Sequence, residues 1–162
     1  MLDLVTRATP LAALLKQRGE TIAVAESSTG GMISAALLAV PGASAYFVGG
    51  AVIYTAAARR AVLGISDQEM RGMRASTEAY AVLVARTARE RFATDWAIAE
   101  TGAAGPTGNR YGDAAGHSCI AIAGPAERAI TIETGHTDRS GNMSAFTASA
   151  LDLLMEMLGG AR

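Results

Sequence analysis

The stretch Val24-Ala25-Glu26-Ser27-Ser28-Thr29-Gly30-Gly31 lies between an apolar run of strand length, Thr21 to Ala25, and a periodic apolar segment, Met32 to Val40. Strand, glycine turn, helix is the reading it dictates, and the fold class follows from it. Pro41-Gly42 breaks the helix, and Tyr46 to Tyr54 reads as a second strand in which Gly49-Gly50 marks a bulge or a close approach of backbone. Upstream, Leu11, Leu14 and Leu15 predict a helix over about residues 9–18, ended by Gly19; Pro10 then sits in the first turn, where a proline is tolerated. Downstream, Ala56 to Leu63 reads as a short helix stopped by Gly64, and Ser66 or Asp67 as the cap of a short turn. Ser76 is expected to cap a helix from Thr77 to Phe92 with an apolar face of Ala79, Val82, Leu83 and Ala85 and a largely solvated face of Arg86, Arg89, Glu90 and Arg91. Trp96 to Ala99 predicts a buried strand, Gly102 to Gly116 a glycine-rich loop, and Ser118 to Ala123 with Ala129 to Thr134 a hairpin around Gly124-Pro125. Met143, Phe146, Ala150, Leu151, Leu154 and Leu158 form the stripe of a closing helix over about 142–158. Early alternation of helices and strands followed by a hairpin predicts an α/β fold with a mixed sheet and helices on both faces. In such sheets sites lie at strand ends, which singles out the loops 26–31 and 101–117.

The 162 residues read as one domain, 1–162, with half the residues hydrophobic and 18% charged. Fourteen basic side chains against fifteen acidic ones give no basic excess, so binding to nucleic acid is not expected. Cys119 is the only cysteine, which excludes an internal disulfide and a multi-thiolate zinc site and fits a reducing compartment. The first residues lack a signal-peptide pattern and no apolar run approaches about 18 residues, so the expectation is a cytoplasmic protein without membrane contact. Lys16 is the only lysine.

Taken alone, Glu26 to Gly31 supports two readings. Ser27, Ser28 or Thr29 supplies an N-cap, or a serine hydroxyl attacks a carbonyl while the helix N-terminus near Gly30 receives a phosphate or an oxyanion. The stretch has neither the P-loop spacing nor the G-x-S-x-G of a nucleophile elbow. Glu26 likewise either orients a nucleophile or meets a cationic ring of the substrate, or only collects backbone N–H groups at the strand end.

The ordered set Ala25-Glu26-Ser27-Ser28-Thr29-Gly30-Gly31, Val40-Pro41-Gly42-Ala43-Ser44-Ala45-Tyr46-Phe47, Gly49-Gly50-Ala51-Val52-Ile53-Tyr54-Thr55, Leu63-Gly64-Ile65 and Thr101-Gly102-Ala103-Ala104-Gly105-Pro106-Thr107-Gly108 resembles the C-terminal domain of competence/damage-inducible CinA proteins, which also exists alone as nicotinamide-nucleotide amidase. The resemblance spans about residues 10–158. It implies a three-layer α/β/α sandwich, hydrolysis of the carboxamide of nicotinamide mononucleotide to nicotinic acid mononucleotide and ammonia without cofactor or metal, and a homo-oligomer. It assigns the nucleophile to Ser27, with Ser28 in place of the family's cysteine, and an assisting role to Tyr54, twenty-seven residues later. Arg59 occupies the catalytic lysine position, and a guanidinium does not deprotonate in proteins, so it cannot be the general base.

The expected substrate cradle is Glu26, Thr29, Gly30, Gly31, Gly102, Ala103 and Gly105. The segment Asn109-Arg110-Tyr111-Gly112-Asp113-Ala114-Ala115-Gly116-His117 departs from the family pattern. It offers His117 as a replacement base, oriented by Asp113, and Tyr111 as a stacking group. A metal set of His117, Cys119 and His136 has no recognisable ligand spacing and is not favoured. Tyr46 and Phe47 read as core, and Arg139 as a surface residue or a phosphate contact.

Overall fold

Ile22, Ala23, Val24 and Ala25 carry nothing polar into the interior, and the strand they begin, β1 (Ile22–Glu26), is buried along its whole length. A computed structural model describes residues 1–160. Around β1 the chain arranges α1 (Leu2–Arg18), α2 (Met32–Leu38), β2 (Phe47–Val52), α3 (Ala56–Ala58, continued by a π turn Arg59–Leu63), α4 (Glu78–Phe92), β3 (Trp96–Ala103), β4 (His117–Ala123), β5 (Glu127–Glu133) and α5 (Arg139–Gly160). The strand order is β2-β1-β3-β4-β5. Strand β1 is parallel to both its neighbours, whereas β3, β4 and β5 pair antiparallel, so the sheet is mixed.

Each face of the sheet has its own core. On one, Leu11 and Leu15 of α1, Ile33 and Leu37 of α2 and Phe146, Leu151 and Leu154 of α5 pack on Ile22, Val24, Ile98 and Ile120. On the other, Tyr80, Ala81, Val84, Ala85 and Ala88 of α4 meet Ala25, Ala97, Ala99 and Ala121. Those small strand residues let a single helix lie close against the sheet, while the larger side chains of the first face fill the space under three helices.

The connections place the site. Helix α2 links β1 to β2 over one face, and α4 links β2 to β3 over the other, with β3 on the opposite side of β1. The chain therefore leaves the adjacent ends of β1 and β3 in different directions, and a crevice opens between them.

Several expectations are corrected. Helix α1 starts at Leu2 and passes through Pro10. Pro10 and Thr6, whose carbonyl loses its N–H partner, are both exposed, so water can satisfy that carbonyl. The cap of α4 is Thr77, whose hydroxyl accepts from the Tyr80 N–H at 3.2 Å; Ser76 instead takes a left-handed backbone, φ 58°. The buried face of α4 is Tyr80, Ala81, Val84, Ala85 and Ala88, about one position round from the expected one, because the helix starts after Thr77 and turns Ala79 to solvent. Strand β3 runs on through Ala103, and the longest helix is α5 rather than α4.

The close approach expected at Gly49-Gly50 is present, whereas the bulge falls one residue earlier, at Val48. The β1–β2 register shifts opposite Val48, and a Cβ on Gly49 would lie 2.5 Å from the Phe92 ring. Gly49→Ala should lower stability by about 1–3 kcal/mol through overpacking, whereas Gly159→Ala, with open space at its Cβ, should leave it level or raise it by about 0.5–1 kcal/mol. Urea denaturation of the two variants checks this pair.

Candidate functional site

The dipeptide that ends β1, Ala25-Glu26, recurs midway along β3 as Ala99-Glu100, and Ala25 pairs with Ala99. Two carboxylates are thereby buried side by side where the crevice opens. Glu26 accepts hydrogen bonds from the Ile33 and Ser34 N–H groups, each at 3.0 Å, from the Ser34 hydroxyl at 2.6 Å and from the Thr29 hydroxyl at 2.8 Å. It caps α2 from below. Glu100 accepts from the Ser27 N–H at 3.1 Å, the Thr29 N–H at 2.9 Å, the Thr29 hydroxyl at 3.0 Å, the Ser118 hydroxyl at 2.8 Å and the Ser28 hydroxyl.

This changes the reading of the turn. Ile33 and Ser34 already give their N–H groups to Glu26, so the start of α2 is closed by the protein's own carboxylate. Glu26 and Thr29 are fully buried and line none of the cavities at the sheet end, which corrects their expected place in the substrate cradle. Gly30 and Gly31 also stand outside those cavities; their positive φ angles, 65° and 103°, serve the turn. Ser27 is half-buried, opens on the crevice, and its hydroxyl makes no hydrogen bond among the described residues. Ser28 is buried.

Tyr54, 60% exposed, stands between two cavities of about 250 Å³ each. The first is lined by Ser27, Thr101, Tyr111 and three arginines, Arg59, Arg74 and Arg110. The second is lined by Ser28, Gly102, Ala103, Gly105, Asn109 and Arg139. Neither is lined by a carboxylate, and the guanidiniums differ in how they are held. Arg59 is buried, with its Nε donating to the Ile65 carbonyl at 3.2 Å and its Nη2 paired with Asp67. Arg74 forms a two-pronged pair with Asp113 at 2.6 and 2.9 Å, which holds the Asp113 carboxyl down at about 2, against the ordinary 3.8. Arg110 has no acidic partner among the described residues and sits, like Arg74, over the Tyr111 ring. Arg139 donates to the Gly105 carbonyl at 2.7 Å and to the Tyr54 phenol oxygen at 3.1 Å. The phenol proton of Tyr54 is therefore left to donate elsewhere.

His117 and Asp113 do not form a base and its orienter. The His117 Nδ1 faces the Glu133 carboxylate and Nε2 faces the Ser76 carbonyl at 3.0 Å, two acceptors that require a proton on each nitrogen. Burial works against that charge, but Glu133, the Ser76 carbonyl and Asp113 outweigh it and raise the imidazole above its ordinary value. Both ring nitrogens are engaged, and His117 lines neither cavity. Asp113 is spent on Arg74, with His117 3.9 Å away. Cys119 lies 3.6 Å from the same imidazole, burial raises its thiol, and His136 is exposed apart from them.

The site thus gathers Ser27, Tyr54, Arg59, Gly102, Ala103, Gly105 and Tyr111 as expected, and adds Arg74, Arg110, Ser28 and Glu100, with Arg139 now placed on Tyr54. The available signal for Glu100 was the Ala-Glu dipeptide repeated in two apolar runs; nothing local marked Arg74, which reaches the crevice from the segment before α4.

A mixed α/β sandwich with a hydroxyl turn and an arginine-lined crevice at its switch point is the class this fold and site define. Residues 5–158 match the CinA C-terminal domain model, and the chain belongs to that family. A CinA-like protein of Gloeobacter violaceus is 44% identical over 151 residues, 92% of this chain and 35% of that protein, and one of Salinibacter ruber is 36% identical over 148 residues, 91% and 36%. The chain spans about a third of the length of these relatives. Among solved structures, the competence damage-inducible protein A of Klebsiella pneumoniae superposes with a TM-score of 0.92 at 27% identity, covering 98% of this chain and 99% of that one. The competence/damage inducible protein CihA of Agrobacterium tumefaciens gives 0.89 at 28% identity, covering 97% and 96%.

A raised imidazole stabilises the fold fully below its unfolded value and loses that contribution as pH rises through its folded value. The stability gap between wild type and His117→Gln should therefore be larger at about pH 5.5 than at about pH 8.5. Urea melts at the two pH values measure the gap; one that widens with pH would contradict the assigned charge.

Proposed function

We propose that this chain is a slow amidohydrolase of a pyridine nucleotide, releasing ammonia from the carboxamide of nicotinamide mononucleotide by attack of a serine of the Ser27-Ser28 turn. The observation that carries the reading is the crevice itself: serine hydroxyls at the end of β1, Tyr54 beside them, and arginines with no carboxylate on the rim. Such a surface suits a substrate bearing a phosphate. The family resemblance assigns the attack to Ser27 and the amide to the substrate.

Low turnover follows from the base. The only lysine, Lys16, donates to the Pro41 carbonyl at 3.3 Å and lines neither cavity. Arg59 cannot deprotonate and is tied to Ile65 and Asp67. Losing a general base typically costs about 100-fold to 10,000-fold. A second reading, a nucleotide-binding module without turnover, is favoured by the same immobilised Arg59.

Wild type at high concentration should release ammonia from nicotinamide mononucleotide between about pH 6 and 9 above a Ser27→Ala/Ser28→Ala control. No release, together with a melting temperature raised by the nucleotide, would favour the binding module. A rise in neither would remove the pyridine-nucleotide reading altogether. Arg59→Lys with Asp67→Ala should speed release by about 100-fold by supplying a neutralisable amine in the cavity that Ser27 lines. Arg59→Lys alone should gain less, because Asp67 would hold the ammonium.

A further inference from the structure

The Ser27 hydroxyl faces the crevice with no proton acceptor in contact, whereas its neighbour has one: the Ser28 hydroxyl donates to Oε1 of Glu100. We propose that Ser28 is the nucleophile of this chain and Glu100 its general base, an arrangement that rests on the amidohydrolase reading and replaces the missing lysine.

Three observations converge on it. Ser28 lines the cavity of about 250 Å³ that also contains Tyr54, Arg139 and the Gly102–Gly105 backbone, so a carboxamide entering there meets the hydroxyl. Glu100 is 2% exposed, and its other partners, the Ser27 and Thr29 N–H groups and the Thr29 and Ser118 hydroxyls, fix its orientation; Ser28 is the one partner of Oε1 that also lines this cavity. Across the same cavity, Arg139 donates to the Tyr54 oxygen, which leaves the phenol proton to meet the oxyanion that attack creates. Nucleophile and oxyanion donor then line one space with the base directly behind the nucleophile, the constellation that acyl transfer needs.

The steps balance. The Ser28 oxygen bonds to the carboxamide carbon as its proton passes to Glu100 and the carbonyl oxygen becomes an oxyanion facing Tyr54. The carbonyl re-forms, the C–N bond breaks, and the Glu100 proton goes to the departing nitrogen, releasing ammonia and leaving an ester on Ser28. Water adds to the ester with its proton taken by Glu100, and the C–O bond breaks as that proton returns to Ser28, freeing the carboxylic acid.

The test is a fluorophosphonate serine reagent applied to the full chain, followed by sequencing of the tryptic peptide Gly19–Arg59, which contains both serines. The adduct is expected on Ser28, and Glu100→Gln should slow its formation by about 100-fold or more. Because Glu100→Gln also disturbs the turn, Ser28→Ala is run beside it with its melting temperature: it should stay folded, form no adduct and release no ammonia. An adduct on Ser27, no adduct at all, or ammonia release by Ser28→Ala at the wild-type rate would overturn the assignment. Labelling of Ser28 in a protein that releases no ammonia from nicotinamide mononucleotide would uphold the Ser28–Glu100 pair and reject only the proposed substrate.

Discussion

Two carboxylates with no cation beside them, buried next to each other at the end of β1 and midway along the adjacent parallel β3, set the terms for everything built on this sheet. Such groups are tolerated only where hydrogen bonds surround them. Glu26 draws the start of α2 onto the sheet, and Glu100 draws the Ser27–Thr29 backbone and the Ser118 hydroxyl towards itself. The turn is thus shaped from beneath by acids. Glycine at 30 and 31 gives it the left-handed bends it needs to reach both.

Around that frame the crevice is made cationic in a graded way. Arg59 and Arg74 are each neutralised by an aspartate, Asp67 and Asp113, that stands behind the rim and fixes the guanidinium. Arg110 and Arg139 have no acidic partner among the described residues, and Arg139 instead leans on the Tyr54 oxygen and the Gly105 carbonyl. The paired arginines shape the walls, and the unpaired ones leave charge for an anion. His117 belongs to the walls as well. Its imidazole ties β4 and β5 to the Ser76 carbonyl, and Ser76 in turn accepts its left-handed backbone because Thr101 and His117 grip it from two sides.

The strand–turn–helix at residues 22–38 was legible because periodicity changes there from buried strand to helix across two glycines, and so was the crevice, because polar loops follow both central strands. The one-position error on α4 has a local cause: which of two adjacent hydroxyl residues caps a helix depends on backbone dihedrals, and Ser76 and Thr77 are equivalent in composition. Pro10 misled because its cost vanishes on a solvent-facing side, a tertiary fact. His117 looked like a base because composition shows an imidazole near an aspartate; the acceptor on its far side, Glu133, comes from the β4–β5 pairing, in which His117 stands opposite Glu133. Arg74 and Glu100 meet the serine turn only through the crossover of α4 and the β1–β3 register, which no single segment encodes.

Thr29 carries one hydroxyl proton and stands within reach of both carboxylates, 2.8 Å from Glu26 and 3.0 Å from Glu100. It can serve only one of them at a time. A single torsion at the base of α2 thereby decides which of the two carboxylates has one donor fewer, so the helix anchor and the serine turn are joined through the rotation of one bond.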